Sequence, residues 1–185
     1  GGDGGRVQMA GRRIIQRGPV DVSGTGEGSG GSVSFDAAGM VAVGNRVSAG
    51  GGQGGEIRVA ARTLSSAGRL DATGATGAGG TIDIAAGGSV IETASALVDA
   101  SGATDGGGIR MAAARQVTTS GTLLAEGGSG RGGRIDMTAP AVKLLSPRLS
   151  VAGAAGGGRL RIGGEFQGGK HLEVDELANA STVVA

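Results

Sequence analysis

The hydrophobic residues of this chain fall in short alternating runs that recur from one end of the sequence to the other. A Gly-Gly pair, one variable residue and an apolar–x–apolar triplet occur together seven times. Successive copies are separated by 26, 24, 25, 27, 26 and 25 residues. A period this constant indicates a repeat architecture in which each unit packs on its neighbours. The first apolar residues of the seven copies are Val7, Val33, Ile57, Ile82, Ile109, Ile135 and Leu160.

Each repeat carries two more apolar patches, which predict two more strands. Alternation over three to five residues favours half-buried strands, because helical apolar residues would recur every three or four positions. Three short strands per repeat are typical of a parallel β-helix. The middle patches contain Ile14, Val41, Leu64, Val90, Val117 and Val142. The third patches contain Val20, Val47, Leu70, Val98, Leu123 and Leu149.

We therefore predict an all-β fold, a right-handed parallel β-helix (β-solenoid) of about seven coils, each with roughly 25 residues and three short strands. Residues 1–185 form a single segment in this interpretation, and residues 169–185, where the glycine-rich pattern ends, are the divergent end of the last coil. The general chirality of crossover connections favours the right hand, and no residue of the chain specifies it. The coils begin near residues 4, 30, 54, 79, 106, 132 and 157.

An outward column of charges bears on the register of these coils. The residue between the two apolar positions of the first strand is, from the third coil onward, Arg58, Asp83, Arg110, Asp136 and Arg161. If the coils stack in register, opposite charges lie side by side, and each such pair contributes about 0.2–1 kcal/mol. A slip of one residue would lose these pairs and turn the apolar set outward. We interpret the column as a solvated ladder rather than as a binding stripe.

Composition excludes several classes of protein. Glycine accounts for 43 of the 185 residues, and Phe35 and Phe166 are the only aromatic residues. We expect the glycines to provide positive φ angles in tight turns. With 17 basic and 16 acidic residues, the chain has no general attraction to nucleic acid or to an anionic membrane. It also has no run of 18 apolar residues, so no membrane-spanning helix is predicted.

The sequence predicts no metal or cofactor site. The absence of Cys excludes disulfides, thiolate zinc sites and thiol catalysis, and a single His, His171, excludes a multi-histidine metal site. Residues 1–5 and 105–108 lack the spacing of calcium-binding nonapeptides. No glycine-rich turn continues into the Gly-Lys-Ser/Thr of a phosphate-binding loop. His171 is expected at the surface or at an edge of the last coil.

Two carboxylates are the candidates for catalysis. Asp71 and Asp99 are expected at equivalent outward positions in adjacent coils, so they could approach within the range of about 5–9.5 Å that glycoside hydrolysis requires. The next coil does not extend the pair, since Leu124 takes the equivalent position and Glu126 lies two residues further on. No Tyr or Trp is present to stack a sugar ring. We therefore expect both carboxylates to accept N–H groups of the following turn and predict no catalytic residues.

A small basic cluster is the other candidate surface. Arg6, Arg12, Arg13 and Arg17 lie close in sequence and are expected on the first coil. Without aromatic residues between them, they are weak evidence for nucleic-acid binding. We interpret them as a solvated face that is also the first place to test for ligand contacts.

A Gly-Gly-x-Ile-x-Ile-Ala pattern is followed by Leu-Asp-Ala-Thr-Gly (70–74) or Val-Asp-Ala-Ser-Gly (98–102). Over most of the chain, repeats of this kind resemble those of filamentous-haemagglutinin-like exoproteins, the β-helical passengers of two-partner secretion systems in Gram-negative bacteria. Residues 160–168 and 178–182 are similar to that family's Gly-Gly-Asp-Phe-Gln-Gly … Asn-Ala-x-x-Thr segment, with Glu165 in place of the usual Asp.

The resemblance implies a non-enzymatic function as a rigid stalk of a secreted, surface-displayed adhesin. The chain would be an internal stretch of the passenger, exported through an outer-membrane two-partner secretion transporter and displayed at the bacterial cell surface or released. Its partners would be glycans or proteins of host or neighbouring cells, with neither nucleic acid nor membrane insertion involved. The unpaired strand edges expected at both ends also suggest end-to-end self-association. A self-assembling filament and, third, a polysaccharide-active enzyme remain the alternative functions.

Overall fold

The computed structural model of the protein describes residues 1–163 and 182–184, and every regular element assigned within them is a β-strand. The strands are β1 (Arg6–Gln16), β2 (Val20–Asp21), β3 (Ser32–Val43), β4 (Arg46–Ser48), β5 (Glu56–Ser66), β6 (Arg69–Asp71), β7 (Thr81–Glu92), β8 (Leu97–Asp99), β9 (Gly108–Ala113), β10 (Gln116–Thr119), β11 (Thr122–Leu124), β12 (Arg134–Thr138), β13 (Ala141–Leu144), β14 (Arg148–Ser150), β15 (Arg159–Ile162) and β16 (Thr182–Val184).

These strands build a parallel β-solenoid of about six turns, with β15 and β16 continuing the stack, which confirms the predicted fold class. Ten strands form one parallel sheet, and the six short third strands form another in the order β14-β11-β8-β6-β4-β2. In the first four coils the first and second strands are continuous across a corner, as in β5 and β7. In the next two coils they separate into β9 with β10 and β12 with β13.

The register between coils is the one that the apolar pattern predicts. Ile57 pairs with Ile82, Ile82 with Ile109, and Ile109 with Ile135. Each of these side chains is buried, and the residues on either side of Ile57 are exposed. The interior is therefore a stack of aliphatic side chains, and among the described residues it accommodates one ring, the fully buried Phe35.

Backbone-to-backbone contact closes the narrow side of each coil. The second glycine of the Gly-Gly pair donates its N–H to the carbonyl of the inward residue that follows the third strand of the preceding coil. The six bonds are Gly31 to Val22, Gly55 to Ala49, Gly80 to Ala72, Gly107 to Ala100, Gly133 to Ala125 and Gly158 to Val151, at 2.7–2.9 Å. Each coil thus has two unlike ends. We call the end filled by apolar side chains of the first and second strands the wide end, and the end where the Gly-Gly pair lies directly against the third strand the narrow end.

The expected role of glycine was wrong for most positions. Among the described glycines, Gly26, Gly156 and Gly163 have positive φ angles. The Gly-Gly pairs are needed for space instead, because a Cβ atom at Gly54 would lie 2.1 Å from the Ala72 carbonyl oxygen and 2.1 Å from the Gly80 nitrogen. Glycine is required where two strands approach more closely than any side chain permits.

Several predictions concern residues outside the described part of the chain. They are the placement of His171, the Glu165 motif, the proposed strand at 172–174 and the acidic cluster Glu173, Asp175 and Glu176. Within the segment predicted to diverge, 169–185, the structure describes β16, which pairs in parallel with β13.

Candidate functional site

Asp71 and Asp99 lie side by side on the outer face of the third strands, as the sequence predicted. They are register partners in β6 and β8. The Arg69 guanidinium lies between them, with its Nη2 3.3 Å from the Oδ2 atom of each carboxylate. Arg46 from the preceding coil places its own Nη2 2.9 Å from Asp71 Oδ2. Two like charges are thus held in adjacent coils by cations from the same face.

The second oxygen of each carboxylate serves the following turn. Asp71 Oδ1 accepts the Thr73 N–H at 3.2 Å and the Thr73 hydroxyl at 2.8 Å, and Asp99 Oδ1 accepts the Ser101 N–H at 3.1 Å. This confirms the expected hydrogen bonds. Both residues are buried, at 2% and 8% exposure, beneath the arginines. Each carboxylate is therefore engaged at both oxygens, an arrangement that stabilises the coil.

The neighbouring coils use the same kind of contact with different residues. In the first coil, Asp21 Oδ1 accepts the Ser23 N–H at 2.9 Å, and hydrogen bonds from the Ser23 side chain and backbone lower the pKa of Asp21. In the later coils, Ser150 donates its hydroxyl to Glu126, and Arg148 lies 3.9 Å from the same carboxylate. The third-strand face therefore carries ion pairs from Arg46 to Asp99 and again between Arg148 and Glu126, with Leu124 between these two groups.

The charged residues on the outer face of the first strands have the predicted register, but their ion pairs differ in length and burial along the rod. Arg58 and Asp83 are exposed partners 3.7 Å apart. Asp136 and Arg161 form a buried bidentate pair at 2.6 and 2.8 Å. Arg110 lies between Asp83 and Asp136 in register, yet makes no ion pair within the described residues. The column is a ladder in register, and its contacts are strongest at its last step.

Glu92 is a buried acid that the sequence analysis did not identify. It lies in the interior at 2% exposure, where Thr119 donates its hydroxyl to Oε2 at 2.9 Å. Glu92 Oε1 and the hydroxyl of its register partner Ser66 have no hydrogen-bond partner among the described residues. The alternation predicts this position, because Glu92 lies two residues after the inward Val90 and therefore on the same face of β7.

Burial raises the pKa of Glu92 to about 7, and the hydrogen bond from Thr119 opposes that rise. The carboxyl is protonated in mildly acidic solution as a consequence. It then stands in the apolar interior without an uncompensated charge.

The four arginines of the predicted basic cluster are spread around the first coil. Arg6 stands at the start of β1 and donates from Nε to the Ser32 hydroxyl at 3.1 Å. Arg12 and Arg13 lie at the corner within β1, about 20 Å further along the strand. Arg17 follows the end of β1, at the corner that leads into β2. All four side chains are exposed.

Shallow grooves follow the axis of the rod on two faces. The floor of one is formed by the Gly-Gly pairs of successive coils. The other runs along the first corner over small residues that include Ala60, Ala85 and Ala112. No group of three or more His, Cys, Asp or Glu side chains positioned to hold a metal ion occurs in the described part. Among residues 1–163 and 182–184 there is no apolar helix of membrane-spanning length.

The comparisons with known proteins leave the geometry as the basis for a functional assignment. The sequence matches no protein-family model, no curated protein and no solved structure.

Proposed function

We propose that this chain is a segment of a rigid, non-catalytic shaft of a bacterial exoprotein, one that holds a distal region away from the cell. The observation that carries the proposal is the repetition of one set of backbone hydrogen bonds in every coil. The coil-closing bond from the second glycine recurs six times with lengths of 2.7–2.9 Å. Coils that differ in their outward residues thus share the same backbone geometry.

The geometry suits a mechanical role. Parallel strands about 4.8 Å apart give the described coils a length of about 30 Å along the axis. Each coil bonds to the next through both sheets and through isolated bridges between Gly51, Gly74, Gly102, Gly127 and Gly153. Bending such a rod requires hydrogen bonds to stretch on three sides. The two ends of the shaft are therefore held at a fixed distance and orientation.

The resemblance of the repeats to exported passengers supports an extracellular location for the shaft. In that setting a two-partner secretion transporter of the outer membrane exports the chain, and its partners are glycans or proteins at the surface of host or neighbouring cells. The lack of Cys in the chain accords with export as an unfolded polypeptide.

Distance measurements between two spin labels test the rigidity that the proposal requires. Ile15 and Lys143 are exposed and lie in the same outward column, five coil steps apart. The chain has no native Cys, so Ile15→Cys/Lys143→Cys labels two positions alone. We expect one narrow distance distribution near 24 Å at the backbone, broadened by the labels. A broad or multimodal distribution would show a flexible spacer and contradict the proposal.

Location and lack of catalysis are tested separately. An epitope inserted after Ala94, in an exposed turn, should be detected by antibody on intact cells of the source bacterium, and detection only after permeabilisation would refute the extracellular location. Incubation of the purified protein with plant and bacterial polysaccharides should release no reducing ends. Release that Asp71→Asn abolishes would identify an enzyme instead.

A further inference from the structure

The arginines of this solenoid differ in their ionic contacts. On the sheet faces Arg46, Arg58, Arg69 and Arg161 are ion-paired, whereas Arg110 makes no ion pair within the described residues. The arginines at the corner between the first and second strands are all without an ion pair in that part of the chain. Arg12, Arg13, Arg62 and Arg115 are exposed and make no ion pair with any residue of the described ranges.

The register of the flanking strands places these corner arginines in one axial row. Gly11, Ala37, Ala61, Ala86 and Ala113 are successive partners just before the corner. Arg12, Arg62 and Arg115 follow those partners in the first, third and fifth coils. The second and fourth coils have Ala38-Gly39 and Gly87-Gly88 there. The row therefore carries a cation on every second coil, about 10 Å apart and about 19 Å from end to end.

Direct backbone contacts confirm that these corners stack. The Arg115 N–H donates to the Gly88 carbonyl at 2.8 Å. A Cβ atom at Gly88 would lie 2.7 Å from the Arg62 carbonyl oxygen, and one at Gly39 would lie 2.7 Å from the Arg12 carbonyl oxygen. The glycines of the even coils thus hold the arginine-bearing corners of the odd coils in line.

A shallow trough runs beside this row. Its floor consists of small side chains that include the outward Ala60, Ala85 and Ala112 of β5, β7 and β9, and Ala114 borders it. Backbone N–H and carbonyl groups of these strands are used in the ladders between coils. An occupant therefore meets methyl groups below and finds no strand edge to extend. Arg62 and Arg115 directly follow the trough residues Ala61 and Ala114 in sequence.

The geometry points to this corner as a binding site for a linear acidic polysaccharide that carries one anionic group on about every second sugar. An extended chain lying in the trough would present its anions to Arg12, Arg62 and Arg115 in turn. A peptide is disfavoured because strand addition needs unpaired backbone groups. A single-stranded nucleic acid is disfavoured because the corner offers no aromatic side chain on which a base stacks.

One residue on the trough opposes such a ligand. Asp36 lines the end of the trough in the second coil, is exposed, and makes no ion pair within the described part of the chain. Its carboxylate repels an anion bound between Arg12 and Arg62. Replacing Asp36 by Asn should therefore strengthen binding, whereas a ligand held elsewhere on the rod would be unaffected.

Binding of fluorescently labelled hyaluronate, a polymer with one carboxylate on every second sugar, tests the site. We expect saturable binding by the whole chain that weakens as the ionic strength is raised above about 0.15 M. The variant Arg12→Gln/Arg62→Gln/Arg115→Gln should bind about tenfold more weakly. The matched control Arg17→Gln/Arg131→Gln/Lys143→Gln removes three exposed cations outside the row and gives the same change in net charge, from +1 to −2.

The outcomes separate the proposal from its rivals. Retention of binding by the control, together with tighter binding by Asp36→Asn, supports the site and does not depend on whether the rod is a shaft. Equal losses in the two triple variants would show a general charge effect and overturn it. Absence of saturable binding would overturn it as well. Tighter binding to oligodeoxythymidylate, or to vesicles of phosphatidylglycerol, would overturn it by assigning the row to nucleic acid or to a membrane surface.

Discussion

The two ends of each coil are held together by different forces. At the wide end, side chains such as Phe35, Leu64 and Val90 are fully buried against their equivalents in neighbouring coils. At the narrow end, the Gly-Gly pair packs directly on the third strand and donates a hydrogen bond to it. Apolar burial tolerates a change of volume at a moderate cost, whereas backbone in contact with backbone has no side chain that can adjust.

This difference predicts that the narrow end is the more sensitive to substitution. In Gly54→Ala, the added methyl would lie 2.1 Å from both the Ala72 carbonyl oxygen and the Gly80 nitrogen. Because both obstacles are backbone atoms, we expect a loss of more than about 4 kcal/mol in the free energy of unfolding. Urea unfolding followed by circular dichroism measures it.

Gly87→Ala is the control for that experiment. Gly87 lies in β7, where an added methyl would have nothing within 4 Å and the φ angle is not positive. Alanine there should stabilise the fold by about 0.4–1 kcal/mol, because it restricts the unfolded chain. If the two variants were equally stable, close backbone approach would not be the reason for the Gly-Gly pairs.

The wide end should respond with an intermediate loss. Leu64 is fully buried, so Leu64→Ala should cost about 3 kcal/mol through lost burial and the cavity that remains. Ile91 faces outward at 43% exposure, and Ile91→Ala should stay within about 0.5 kcal/mol of the parent. A loss at Leu64 as large as that at Gly54 would remove the proposed distinction between the two ends.

Glu92, buried at the wide end, makes the free energy of unfolding depend on pH. Its pKa is about 7 in the folded chain and 4.5 in the ordinary reference state. The folded state therefore holds a proton between these values that the unfolded state has lost, and the stability falls as pH rises through that window. The full difference corresponds to about 3 kcal/mol, present below about pH 4.5 and lost above about pH 7.

Glu92→Gln isolates this contribution. Glutamine does not titrate, so the difference in unfolding free energy between variant and parent should grow in favour of the variant from about pH 5 to about pH 8. Subtracting the two curves cancels other carboxylates, including Asp21, whose lowered pKa acts in the opposite direction. A difference that does not change with pH would mean that Glu92 is ionised throughout.

The features that follow a period of two were predictable from sequence, and those set by tertiary approach were not. The register of Ile57, Ile82 and Ile109 follows from the alternation alone. Glycine is needed at Gly54 because the backbone after the third strand lies so close to it. That distance is set by tertiary packing, and no local sequence pattern predicts it. The alignment of Arg62 with Arg115 was hidden because their corners differ in length by one residue, and the order of corner residues is defined only after the strands pair.

The exposed ion pairs on the outer face of the first strands should contribute least to stability. They take part neither in the apolar packing of the wide end nor in the backbone contacts of the narrow end. Arg58 and Asp83 are 59% and 37% exposed in their side chains and 3.7 Å apart. A double-mutant cycle with Arg58→Gln and Asp83→Asn should give a coupling free energy of about 0.2–0.5 kcal/mol that disappears at high salt. A coupling above about 1 kcal/mol would mean that outward charges fix the stacking of coils. The register would then depend on the ladder as well as on the apolar column and the glycine contacts.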